Sequence, residues 1–129
     1  MTIEEKMLAV WTADGTATAL VPAARFKPPG NWQDLDRPYI IQYPVVEAAV
    51  HAHDNAAAFQ GLRIWEFYQL SVIADSYSSA KAVAEKIRSV FNGNSSGVQF
   101  FYRGQRFVGR DDVTQTEHIA VDFRIAEQL

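Results

Sequence analysis

The segment Leu62–Ala74 constrains the fold more than any other part of the sequence. Its β-branched and aromatic residues alternate, so that Ile64, Tyr68, Leu70 and Val72 share one face of an extended strand and Trp65, Phe67 and Ile73 share the other. A strand apolar on both faces belongs in the middle of a sheet, with helices over one side and a second cover, such as a neighbouring subunit, over the other.

The flanking segments supply the rest of such a layer. Thr2 followed by Glu5 forms a capping box ahead of Ile3, Met7, Val10 and Trp11 on one helical face, which predicts a helix over 3–13. Asp14-Gly15 stops it, 16–21 allows one more short turn, and Pro22 bars continuation. A short edge strand is expected at 24–27. Residues 28–36 are rich in turn formers and read as a surface loop with Trp32 folded back on the body. From Pro38 the pattern is again β, and Pro44, which has no N–H for a ladder, places that strand at an edge or in a bulge. Asp75-Ser76-Tyr77-Ser78-Ser79 offers N-caps for a second helix that carries Ala80, Val83, Ala84, Ile87, Val90 and Phe91 and ends at Asn92-Gly93. Residues 94–97 then read as a flexible connector, and 98–102 with 105–109 as a hairpin turning near Arg103-Gly104. Ile119, Val121, Phe123 and Ile125 alternate in a terminal half-buried strand. Long β runs without regular βα alternation predict an α+β fold, with a largely antiparallel sheet and two helices packed on one face.

The chain has 129 residues, 48% of them hydrophobic, with three Trp, five Tyr and eight Phe, which is enough for one domain with a core. Twelve basic against fifteen acidic residues give a net charge of −3, so attraction to phosphate backbones or anionic membranes is not built in. No cysteine is present, which removes disulfides, thiol nucleophiles and thiolate zinc sites. The most apolar stretch, 38–50, is shorter than the roughly 20 residues a spanning helix needs, and no membrane partner is expected. The first residues carry neither a basic n-region nor a small-residue cleavage site, so no export signal is expected.

Chemistry has little to build on. His51 and His53 at i and i+2, beside Asp54, would point the same way on a strand, but a metal site usually needs three or four ligands, and a solvated loop is expected instead. Asp111-Asp112 and Glu4-Glu5 lack the apolar surroundings that raise a carboxyl pKa. There is no GxSxG elbow and no phosphate loop. Arg103, Arg106 and Arg110 interleave with Phe100, Phe101, Tyr102 and Phe107 as in a single-strand nucleic-acid binder. Aromatics are favoured in strand pairs in any case, and these arginines are expected to meet acidic groups of a neighbour. Neither a catalytic constellation nor a cofactor is expected.

Taken in order, the amphipathic first helix, Arg37-Pro38-Tyr39-Ile40-Ile41, the strand Tyr68-Gln69-Leu70-Ser71-Val72-Ile73-Ala74, the helix beginning Tyr77-Ser78-Ser79-Ala80-Lys81 and the terminal Val121-Asp122-Phe123-Arg124-Ile125 resemble the tail completion family. These are the head-tail joining or tail terminator proteins of long-tailed phages and phage-derived particles. The resemblance covers nearly the whole chain and departs from the family pattern at 47–61. It implies a structural virion protein, made in the bacterial cytoplasm. It further implies a six-fold ring of copies at the head-proximal end of the tail, contacts with the tail tube protein and the head connector or head-closure protein, and a lumen that DNA crosses without specific binding. Residues expected at an oligomer or partner interface are Trp65, Phe67, His51, His53, Asp54, Arg103, Arg106 and Arg110. Residues 47–61 are expected to project as a loop or hairpin. The alternatives are a small-molecule-binding α+β module and another head-tail connector or tube component.

Overall fold

The computed structural model describes residues 2–32, 35–48, 62–95 and 97–128. Helix α1 (Ile3–Thr12) starts at the expected capping box: the Glu5 N–H donates to Thr2 Oγ1 at 3.2 Å and the Thr2 N–H donates to Glu5 Oε1 at 3.3 Å. Asp14 does more than stop α1. Its Oδ1 accepts from the N–H groups of Thr16 and Ala17, which opens α2 (Gly15–Leu20). A 3₁₀ turn at Ala23–Arg25 then leads into β1 (Phe26–Lys27).

Strands β2 (Tyr39–Ala48) and β3 (Leu62–Ala74) are followed by α3 (Tyr77–Val90), capped by Ser76, and then by β4 (Gly93–Ser95), β5 (Val98–Asp111) and β6 (Thr116–Gln128). They form one six-stranded sheet in the order β1-β2-β3-β6-β5-β4, antiparallel throughout except for the short parallel pair β1 and β2. The α+β architecture is therefore the one the pattern predicts. Three helices rather than two contribute to the core on one sheet face, because the short turn expected after Asp14 is a helix in its own right.

Three local expectations change. Arg103-Gly104 is not a turn. β5 runs straight through it, and the pairing with β6 shifts at Tyr102/Gly104 and again at Phe107/Gly109, so both glycines, at φ 142° and 149°, mark bulges. The chain reverses instead after Asp111, whose Oδ1 accepts from the N–H groups of Val113 and Thr114, with Gln115 at φ 57°. The first half of the connector expected at 94–97 is strand, since Asn94 and Ser95 belong to β4 and pair with the first residues of β5. Trp65 does not share a face with Phe67. A bulge in β3 between Trp65 and Tyr68 reverses the alternation, and the Trp65 ring meets Tyr68 edge-on at 6.2 Å on the helix side. Pro44 satisfies both expectations for it, lying beyond the reach of β1 and beside a register shift. Residues 49–61 lie outside the described residues, as do His51, His53 and Asp54, while 47 and 48 continue β2.

An aromatic cluster holds the helices to the sheet. Phe91, at the end of α3, lies 6.1 Å from Trp11, 6.3 Å from Phe26, 5.3 Å from Phe100 and 6.0 Å from Phe123, ring centre to ring centre. The Trp11 Nε1–H donates to the carbonyl of Val21 at 2.8 Å, so the buried indole keeps its polar atom paired. Phe91→Ala empties the centre of this cluster and is expected to cost about 3–5 kcal/mol, read as a lowered urea midpoint at unchanged m-value.

Candidate functional site

Among the described residues, no helix covers the second face of the sheet. Ser71, Gln69 and Phe67 of β3, Ala120, Asp122 and Arg124 of β6, and Phe101 and Arg106 of β5 lie there, tied together by their own contacts. Arg106 donates to Gln69 Oε1 at 2.9 Å and lies 3.6 Å from Asp122; Gln69 in turn donates to Ser71 at 2.7 Å. Glu66 sits between two guanidiniums, 3.8 Å from Arg103 and 3.4 Å from Arg124. Arg103 stacks over Phe67 at 4.5 Å, and Arg124 over Phe101 at 5.7 Å. The interleaving of arginine and aromatic residues is thus an internal lattice.

Of the residues expected at an interface, the fold brings Phe67 and Arg103 into direct contact and sets Arg106 on the same face. Trp65 is carried to the other face, where its Nε1–H donates to Glu127 Oε1 at 3.1 Å. Arg110 stands near the β5–β6 turn and donates to Glu117 at 2.7 Å, a bond that raises its guanidinium further above its ordinary range. The acidic partners the arginines were expected to find on a neighbour are in this chain. Such exposed pairs contribute about 0–1 kcal/mol each, so the lattice orders the face more than it stabilises the fold.

The free stretch of β5 is a feature the sequence reading missed. β4 covers only Val98–Phe100, which leaves 101–111 with no strand on the outer side among the described residues. Phe101, Tyr102, Phe107 and Val108 are exposed there, at 39, 36, 51 and 51%. The missed signal was the turn chemistry: Arg-Gly lacks the Asn or Asp that a two-residue hairpin favours, so an unbroken strand was the better reading of 98–111.

A cavity of about 540 Å³ opens near the β5–β6 turn, between Arg37, Tyr39, Ile73, Thr116 and His118. Arg37 spans its rim, donating to the Thr114 carbonyl at 2.8 Å and pairing with Asp75 at 3.1 Å. His118 Nε2 is buried without a hydrogen-bond partner in the described structure. Among the described residues, no group of three or more His, Asp or Glu is placed to hold a metal ion, and no helix is long and apolar enough to cross a membrane.

No family model matches the sequence, and no curated protein matches it. Among solved structures, the chain is similar to one from the virion of a native gene transfer agent (GTA) particle, with a TM-score of 0.71 and 20% identity over 98% of this chain and 95% of that one. The likeness shows a shared fold.

Burial, and after it the Arg106 guanidinium, holds the His118 imidazole below its ordinary value of 6.5. Unfolding restores that value, so the unfolded chain binds the proton more readily. The stabilising contribution is complete above about pH 6.5 and is lost as pH falls toward the lowered folded-state pKa. His118→Gln is expected to flatten this part of the pH dependence, measured as urea stability from about pH 7 to 5. An unchanged slope would assign it to other groups.

Proposed function

We propose that the chain is a non-enzymatic structural protein of a phage or phage-derived virion. In this reading it forms a ring at the head-proximal end of the tail, terminates the tube and joins it to the head connector. The observation that carries the reading is the likeness in fold, over nearly the whole of both chains, to a chain of a GTA virion. The order of short patterns along the sequence supports the same reading independently. Its partners are further copies of itself in a six-fold ring, the tail tube protein and the head connector or head-closure protein. DNA crosses the lumen without specific binding, in keeping with the net negative charge and with arginines already paired inside the chain. Its place is the virion tail, after synthesis in the host cytoplasm.

The cavity beside His118 favours a second reading, a small-molecule-binding module. Native mass spectrometry over a wide concentration range, with electron microscopy of the same samples, separates the two. A closed ring is the expected result, since a heterologous contact gives a ring when its rotation closes about one axis. Monomer at every concentration, and no ring in either measurement, would overturn the assembly reading and leave the second.

A further inference from the structure

We infer that copies of this chain join edge to edge, the free edge of β5 in one copy pairing antiparallel with the free edge of β2 in the next. This rests on the ring reading above and says which surfaces make the ring. Both edges follow from the sheet topology. On one side, β4 covers only three residues of β5 and leaves 101–111 open. On the other, β1 covers only Ile40 and Ile41 and leaves 42–48 open. Alternate backbone N–H and C=O groups along both stretches have no strand partner among the described residues, and an edge of that length is a template for another strand.

Direction decides the geometry. β2 is antiparallel to β3, β3 to β6 and β6 to β5, so β2 and β5 run in opposite senses within one subunit. A second copy rotated about an axis along the strands keeps its own sense. Its β2 therefore arrives antiparallel to the first copy's β5, in the better-bonded arrangement. The apolar residues agree: Phe101, Tyr102, Phe107 and Val108 are exposed along one edge, and Val45, at 59%, along the other. Such a concentration on an open strand marks an interface.

The two edges also differ in charge. The free stretch of β5 carries Arg103, Arg106 and Arg110, each with an acidic partner in its own chain, and one acid, Asp111, whereas the free stretch of β2 carries Glu47 and no base. Pairing β5 with β5 of another copy about a two-fold axis would bring together two strands that each carry three arginines, which is the less favourable arrangement. The head-to-tail pairing does not. Pro44 withholds one donor, and the two β5 bulges break the regularity of the other edge, so few registers are left open to the pair.

Because the chain has no cysteine, the contact can be tested by disulfide trapping. Val45→Cys is combined in turn with Phe101→Cys, Tyr102→Cys, Phe107→Cys and Val108→Cys, all at exposed positions, and oxidised mildly under native conditions. At least one combination should convert monomer into a covalent ladder ending at the closed ring. Val45→Cys with Val113→Cys, at the exposed hairpin tip, should not. In the unsubstituted protein, backbone amides in 42–48 and 101–111 should exchange more slowly in the ring than in the monomer. A ring that forms with no cross-link from any combination and unchanged exchange at both edges would overturn the inference and leave the ring reading standing. Covalent dimers from the Phe107→Cys or Val108→Cys variant alone would overturn it in favour of two-fold pairing. Monomer under all conditions would remove both.

Discussion

The two long strands β3 and β5 are both registered against β6. It pairs along almost its whole length with β3 on one side and with β5 on the other, so its backbone donors and acceptors are consumed within the sheet. Its alternating Ile119, Val121, Phe123 and Ile125 are all buried under the helices, while Asp122 and Arg124 face the lattice on the far side. A shift of one residue in β6 would exchange these two sets, placing a carboxylate and a guanidinium in the core. The register is therefore fixed by the cost of every other register as much as by its own contacts.

The helix layer is held to that sheet by polar bonds as well as by the aromatic cluster. Lys6 of α1 reaches Glu127 Oε2 at 2.8 Å and the Gln128 carbonyl at 3.1 Å, and Trp65 occupies the other Glu127 oxygen. Nearby, the Tyr68 hydroxyl donates to Gln42 Oε1 at 2.6 Å, and Gln42 Nε2 donates to the Glu4 carbonyl at 3.2 Å. Burial, followed by Glu4 and Glu127, pushes the Tyr68 pKa upward, so the phenol remains a donor. Satisfied networks of this kind constrain orientation where apolar contacts alone are tolerant. They set α1 across β2, β3 and β6 in one position, because each bond needs its partner at a particular atom.

The two longer helices, the terminal strand and the central strand are legible in the sequence because each carries a period that only one local structure satisfies. Thr2 with Glu5, the apolar spacing from Ala80 to Phe91, and the alternation from Ile119 to Ile125 leave little choice. What failed was parity and punctuation. Whether Trp65 shares a face with Phe67 depends on a bulge, and a bulge is set by pairing with β6, a partner distant in sequence. Gly104 reads as a turn former locally, yet it and Gly109 serve strand irregularity because β6 is long enough to pair across both. In the candidate site, the contact of Arg103 with Phe67 and the pairing of Arg106 with Asp122 join different strands, and residue types alone do not give such pairs.

The misreading at Gly104 fell on a strand with an open side, and this has a physical basis. A bulge in a strand paired on both sides, as in β3, has to be met by its neighbours, and β2 shifts register beside it. An edge strand is bound by only one neighbour, so bulges, glycines and charged residues accumulate there at low energetic cost. The helix-free face is already neutralised by its own ion pairs and stacked guanidiniums, which leaves it few unmet groups to offer a partner. The β5 edge differs: it has unpaired backbone on one side and apolar side chains exposed along its length. Specific association through this sheet is therefore expected at its edge rather than across its open face, because among the described residues the edge combines unmet hydrogen-bonding capacity with apolar surface.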